Sequence, residues 1–471
     1  MSNGAQKLPL KEKIGYGFGD LASCLFWQTI SLYLLFFYTD VFGLTAAAAG
    51  IMFFVSRIVD AIFDVIIGMT ADRTESRWGK FRPYLLWGGV PLAVSAVLAF
   101  TTPGFGETMK LVYAYVTFIS FMCLYSVVNI PYTALLGVIS GDAVERTSAA
   151  SFKFVGAYLA GFIVSATALP LAAYFGGNNP GKGWQWTMIM YGVMAVIFFL
   201  ITFLSTHERI KPIAKEKTSV KNDLKDIVKN KPWILLFMVT ILFILFVCIR
   251  SSVTAHYFKY YVGEQEYHIF GSTYKWGFEV VASAFNTVGQ ALSLVGVLLV
   301  PWFAKIAGRK RAVVILFVTA LVCTGAFYFL GPKDITWIFI FQAVGSITGG
   351  PISTLLWVMY ADTADYSEWK TGRRATGLVF SASIMSNKLG WAVGSMIAGI
   401  ILATTGFVAN VSQNPEVLNG LKNMMSIIPV VAGGIALIIL VLFYELDEPL
   451  MKKIKADLEE RRLASGEAAT T

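Results

Sequence analysis

Apolar residues run through this chain in stretches of roughly twenty to thirty, separated by short polar connectors. A helix of about 20 apolar residues crosses the hydrocarbon core of a bilayer, because each residue advances it about 1.5 Å. The pattern predicts twelve such spans, at 14–39, 46–69, 83–101, 109–137, 148–175, 185–205, 233–261, 276–301, 312–331, 335–360, 375–405 and 421–445. Several exceed what a bilayer needs, which predicts tilt or helical extension beyond it. The fold class is therefore an all-α membrane protein with twelve transmembrane helices in two six-helix bundles.

The connectors alternate in charge. The N-terminus, the second, sixth, eighth and tenth connectors, and the tail are rich in Lys and Arg, and those between them hold few. By the positive-inside rule both termini are expected in the cytoplasm. The division that follows is 1–205 as an N-terminal bundle, 206–232 as a cytoplasmic linker, 233–445 as a C-terminal bundle and 446–471 as a tail. Within the linker, 221–231 reads either as a short amphipathic helix on the membrane surface or as a solvated tether. A Gly with basic neighbours follows the second span of each half, RWGKFRP near Gly79 and AGRKRAV near Gly308. This weak repeat is that of a parallel-repeat transporter with its substrate site at midplane.

Composition agrees with the membrane assignment. The chain is 56% hydrophobic and 14% charged, where soluble domains carry about 25% charged residues. The net charge of +9 sits in the connectors and does not form a nucleic-acid patch. Cys24, Cys123, Cys248 and Cys323 all lie in apolar segments and read as buried small hydrophobes. The three histidines are scattered and form no metal or catalytic cluster. The polar, basic N-terminus and the long aromatic first span do not read as a cleavable signal peptide.

The candidate chemistry lies in charges that lipid would reject. Arg57, Asp60 and Asp64 occupy one stripe of the second span, since residues three and four apart share a helix face. Each costs about 2.5 kcal/mol or more at the bilayer centre, so each must face protein or a water-filled cavity. Two carboxylates one turn apart beside a cation form a cation or proton site, or a structural ion pair joining helices; one Arg does not neutralise two carboxylates. Ser126 and Asn129 share a face of the fourth span between Tyr125 and Tyr132, and either contact a ligand or hydrogen-bond a neighbouring helix. Trp27 and Gln28, and Trp357 in the tenth span, fit a sugar site in which an aromatic face packs a pyranose and an amide reads hydroxyls; tryptophans also gather at membrane interfaces. Lys388, inside the eleventh span, either bridges cation and sugar sites electrostatically or snorkels. Asp72 and Arg73, and Asp362, Asp365 and Arg373, fall at cytoplasmic helix ends. They serve as cross-half salt bridges gating the carrier, or as membrane-surface charge. GYGFGD near Gly15 lacks the preceding strand that a nucleotide loop requires.

The motifs YGFGD (from Tyr16), FFYTDVFGL (from Phe36), RIVDAIFD (from Arg57), ADRTESRWGKFRPY (from Ala71), VNIPY (from Val128) and ADTADYSEWKTGRRATG (from Ala361) together resemble the glycoside–pentoside–hexuronide:cation symporter family. That family includes the melibiose permease and lies in the major facilitator superfamily; the wording here is closer to xyloside- and glucuronide-type members. The resemblance implies a major facilitator fold and a secondary symporter, not an enzyme, that couples Na⁺ or H⁺ to uptake of a pentoside, hexuronide or small oligosaccharide. It implies no cofactor beyond the coupling ion, with a sugar, a cation and the lipid bilayer as partners, no nucleic acid, a monomer, and the bacterial inner membrane. Asp60 and Asp64 match the family's cation site, binding Na⁺ as metal ligands if Na⁺ is the coupling ion; Phe63 stands where the melibiose permease has Asn, and Ser126 matches a further cation ligand. Asn129, Thr133, Lys153 and Lys388 match its sugar-contacting positions. Cys24 replaces a sugar-binding aspartate and Thr133 a tryptophan, so the galactoside-reading pair is missing. A lysolipid or another amphipathic solute is the alternative cargo on the same fold.

Overall fold

The computed structural model describes residues 7–140, 142–210, 230–269, 272–371 and 376–464. The proposed surface helix at 221–231 lies almost wholly outside them. Helices dominate: α1 Leu10–Phe36, α2 Ala46–Arg73, α3 Arg82–Ala99, α4 Glu107–Leu135, α5 Ala143–Gly176 and α6 Pro180–Ser205 form the first six. After the linker come α7 Lys231–His256, α8 Phe278–Leu298, α9 Val300–Ala307, α10 Arg309–Ala326, α11 Ile335–Thr371, α12 Thr376–Thr404, α13 Pro415–Met425, α14 Ile427–Leu442 and α15 Glu448–Ala464. Among the described residues eleven helical segments are long and apolar enough to cross a membrane, and the second expected span is the 28-residue α2. The helix starts follow local chemistry. The Thr45 hydroxyl accepts from the Ala48 N–H at the start of α2, and the Asn179 amide accepts from the Lys182 N–H, with Pro180 in the first turn of α6.

Three details depart from the periodicity. The eighth expected span, 276–301, ends at Leu298 and the chain restarts as the short α9; the twelfth is broken between α13 and α14 at Ser426. An antiparallel hairpin, β1 Gln265–Ile269 with β2 Ser272–Trp276, follows α7, pairing Gln265 with Trp276. Its aromatic and β-branched residues suit strands, but a polar connector hides so short a pair. Finally, α1 runs on through a wider π-helical turn at Phe37–Val41, and α7 does the same at Tyr257–Val262.

The chain forms two compact units. The first contains Met1–Ala214, Ser251–Gln290 and Ser395–Leu421; the second contains Lys215–Arg250, Ala291–Gly394 and Lys422–Thr471. In the first, glycines bring backbones together. A Cβ on Gly156 of α5 would lie 2.3 Å from the Gly17 carbonyl oxygen of α1, and one on Gly19 would meet the Tyr132 ring of α4 at 2.4 Å. The GYGFG stretch is therefore a helix-packing surface. In the second unit, Phe243, Phe246 and Phe317 centre a core that includes Leu355, Tyr360 and Leu440. There Gly390 and Gly394 of α12 pack against Ile244 and Cys248 of α7. A glycine-mediated pairing like that of α1 with α5 thus recurs between α7 and α12 of the second unit. The repeated Gly79 and Gly308 both take left-handed φ, +109° and +73°, a conformation that excludes most side chains.

Burial is inverted relative to a soluble protein. On α2, Ile58, Ile62 and Val65 are at least half exposed, while Asp60 is 1% exposed. An apolar exterior around a buried carboxylate is the arrangement lipid imposes.

Candidate functional site

The α2 stripe meets α4 and α1. The Ser126 hydroxyl of α4 donates to Asp60 Oδ1 at 2.9 Å, so the two positions paired only by resemblance touch. Arg57 Nη1 lies 3.8 Å from Asp60 Oδ2, and its guanidinium covers the Trp27 ring at 4.5 Å. Trp27 in turn packs on Tyr125, ring centroids 5.6 Å apart, and Asn129 Nδ2 donates to the Tyr125 hydroxyl at 3.4 Å. Asp64, half-buried, follows Asp60 by one turn on the same face. The result is a strip of Asp60, bound by the Ser126 hydroxyl, and Asp64, beside the linked side chains of Trp27, Tyr125 and Asn129. Oxygen donors of this kind suit a hard monovalent cation, and paired carboxylates also hold a shared proton.

A second polar cluster stands between α1, α4 and α5. Lys153 Nζ lies 3.8 Å from Asp20 Oδ1, donates to Thr133 Oγ1 at 3.5 Å, and sits over the Tyr132 ring at 5.4 Å. The Cys24 thiol faces Asp20 Oδ2 at 3.9 Å. The structure therefore brings Cys24, Thr133 and Lys153 together and adds Asp20, which sequence reasoning missed as a site residue. The signal for it is the one that marks Asp60, a carboxylate inside an apolar span. Gln28 reaches the face of α5 at Gly161, where a Cβ would come 3.4 Å from Gln28 Nε2 and 3.0 Å from Gln290 Oε1; glycine there leaves room for both amides.

In the second unit, Lys388 is half-buried in α12 and Trp357 is half-buried in α11, its ring 5.8 Å from Tyr360. Of the expected gating residues, Asp362 is ion-paired with Arg309 of α10, which comes from the same unit. Arg73 is exposed at the end of α2, and Asp365 is half-buried in α11. Arg373 and the Asp72 side chain lie outside the described residues. At the helix ends near the N-terminus, Arg209 grips Glu12 with two nitrogens at 2.7 and 2.8 Å. The Glu208 carboxylate accepts from the backbone N–H groups of Lys80, Phe81 and Arg82. It thereby satisfies the open donors at the start of α3.

Residues 15–448 match the sequence profile of the family described as MFS/sugar transport protein. The chain belongs to that family. Among curated proteins it is 36% identical over 461 residues to the isoprimeverose transporter of Lactiplantibacillus pentosus, covering 96% of this chain and 92% of that protein. It is 35% identical to the inner membrane symporter YicJ of Escherichia coli, covering 97% and 96%, and 29% identical to the glucuronide carrier protein homolog of the same organism, covering 97% of each. Among solved structures, a bacterial homologue of the human drug peptide transporters superposes with TM-score 0.68 at 12% identity, over 94% of this chain and 99% of that one. A bacterial homologue of the human lysosomal transporter Spinster gives 0.65 at 14%, over 92% and 95%. The sugar transport family member is thus a multi-pass membrane protein of the major facilitator fold, a transporter and not an enzyme.

Proposed function

We propose that this family member is a symporter of the bacterial inner membrane, with both termini cytoplasmic, that couples Na⁺ or H⁺ influx to uptake of a glycoside by alternating access. The observation that carries the reading is the 2.9 Å contact between the Ser126 hydroxyl and the buried Asp60 carboxylate, with Asp64 one turn away. These three side chains supply the oxygens that hold the coupling ion. Neutralising them removes the penalty of buried negative charge and organises the adjoining Trp27 and Asn129. Because coupling between two ligands is reciprocal, the sugar in turn tightens the cation.

The sugar contacts are assigned to Trp27, Gln28, Asn129, Thr133, Lys153, Trp357 and Lys388. The cargo is a pentoside, hexuronide or small oligosaccharide. This is supported by Cys24 and Thr133 at the positions that read a galactoside in the melibiose permease, and by relatives named for isoprimeverose and glucuronide. The carrier acts as a monomer, and Arg57, Asp72, Arg73, Asp362, Asp365 and Arg373 serve coupling and gating. Uptake into sealed vesicles over a panel of glycosides, with Na⁺ and pH varied independently, tests the whole reading. Accumulation of a pentoside or hexuronide driven by one of the two cation gradients is expected, and equal uptake with and without every gradient would sink it.

A further inference from the structure

Beyond the cation strip and the Asp20–Lys153 cluster, the first unit contains a third polar cluster, at the end where α1 finishes. Asp40, in the π-helical turn after α1, has a fully buried side chain. Its Oδ1 accepts from Lys259 Nζ at 2.7 Å and from the Tyr260 hydroxyl, both in the π-helical turn after α7. Its Oδ2 accepts from the Thr39 hydroxyl at 2.7 Å and lies 3.3 Å from His256 Nε2, which also meets Thr39 Oγ1 at 2.8 Å. Asn410, in the connector after α12, completes the cluster. Its amide donates to the Asp40 carbonyl at 2.7 Å, its side-chain oxygen accepts from Lys259 at 2.6 Å, and its backbone N–H donates to the Tyr260 hydroxyl at 2.8 Å. Asn410 holds left-handed φ, +60°, so the connector is shaped to present these groups.

Beside this cluster, α2 and α12 touch backbone to backbone. A Cβ on Gly399 would lie 2.4 Å from the Ala46 carbonyl oxygen, and one on Gly50 would lie 3.0 Å from that of Met396. Glycine on both helices lets the two backbones approach closely there. Beside it the polar cluster bridges the elements, with the Phe407 ring packed on His256 and Tyr260 at 5.4 and 5.3 Å. Its charges are buried when closed and regain water when parted, so the hydration restored on separation offsets the lost contacts. A hydrophobic plug of the same size lacks that compensation.

We propose that Asp40, His256, Lys259, Tyr260 and Asn410 form a latch that holds the outer end of the carrier closed by tying the π-helical end of α1 to that of α7. The latch rests on the alternating-access reading above, in which this end opens to admit the sugar. The π-helical turns fit the role, because a widened turn lets a helix end re-register at modest cost and recurs at functional sites. Breaking the latch biases the carrier towards the outward-open state without touching the cation strip.

The test is the accessibility of a reporter below the latch. Ala172 is buried, 6% exposed, and lines a cavity of about 240 Å³ with Asp40, Lys259 and Asn410. In a chain whose four cysteines are Ser, Ala172→Cys is labelled in right-side-out vesicles by a membrane-impermeant maleimide, without sugar. Slow labelling is expected, rising about tenfold or more with Asn410→Ala, Tyr260→Phe or Asp40→Asn, since truncating a partner strands buried polar groups. The first two variants are conservative and decide the matter if Asp40→Asn does not insert. Unchanged labelling in both, with sugar binding in detergent intact, overturns the latch. Parallel uptake by the unaltered chain separates the two readings. Absence of any driven uptake removes symport, whereas intact uptake with unmoved labelling removes the latch alone.

Discussion

Ser126 of α4 donates its hydroxyl hydrogen to Asp60 of α2 at 2.9 Å, across two helices and 66 positions of sequence. The bond orients a carboxylate that is 1% exposed. Ser126→Ala should leave insertion intact and weaken the apparent cation affinity about tenfold, because a hydrogen bond to a charged group contributes about 1.5–3 kcal/mol. Asp60→Asn should abolish driven accumulation altogether. The measurement is uptake as a function of Na⁺ concentration and pH; a Ser126→Ala carrier with an unshifted cation dependence would refute the assignment.

The Asp20–Lys153 pair predicts non-additivity. Asp20→Asn leaves the half-buried Lys153 ammonium without its counter-charge, and an uncompensated charge among the helices destabilises the fold. Asp20→Asn with Lys153→Met should therefore be more stable in detergent than Asp20→Asn alone. Thermal unfolding of the two single variants and the double variant reads the coupling. Equal and additive losses would mean that the pair, at 3.8 Å, contributes little.

Gly156 predicts a packing failure. Any side chain there meets the Gly17 carbonyl oxygen, since even a Cβ would approach to 2.3 Å. Gly156→Leu should destabilise the first unit by about 1–3 kcal/mol or more, the usual cost of overpacking, while Gly68→Leu, whose Cβ position is open, should be tolerated. Expression level and melting temperature compare the two.

Specificity follows from Cys24 and Thr133. An unlabelled pentoside or hexuronide should compete with uptake better than melibiose does. Competition dominated by melibiose would contradict the substrate class.

Lys388 predicts a split between binding and coupling. Lys388→Met keeps side-chain bulk and removes the charge, so insertion should persist. Accumulation in sealed vesicles should fall more than equilibrium sugar binding in detergent. A variant that accumulates sugar as the unaltered chain does would reduce Lys388 to a structural residue.

The sequence by itself determined the membrane character, the positions of the spans and the stripe of Arg57, Asp60 and Asp64. Each of these depends on local composition and on helical periodicity, which reads along one chain segment at a time. Tertiary structure decided what those segments meet. Periodicity places Asp60 on a face but does not say that Ser126 occupies the facing position of α4. It shows glycines in GYGFG but not the α5 backbone that requires them. Asp40 reads as one polar residue in a connector, because nothing local reveals that α1 and α7 both end in π-helical turns and bring Lys259, Tyr260 and Asn410 around it. Asp362 reads as one partner of a cross-half gating bridge, or as membrane-surface charge, until folding sets Arg309 of its own unit beside it. Contacts separated by tens to hundreds of positions arise only on folding, and which partner a membrane-embedded charge finds is a property of the packed helices and not of either sequence segment.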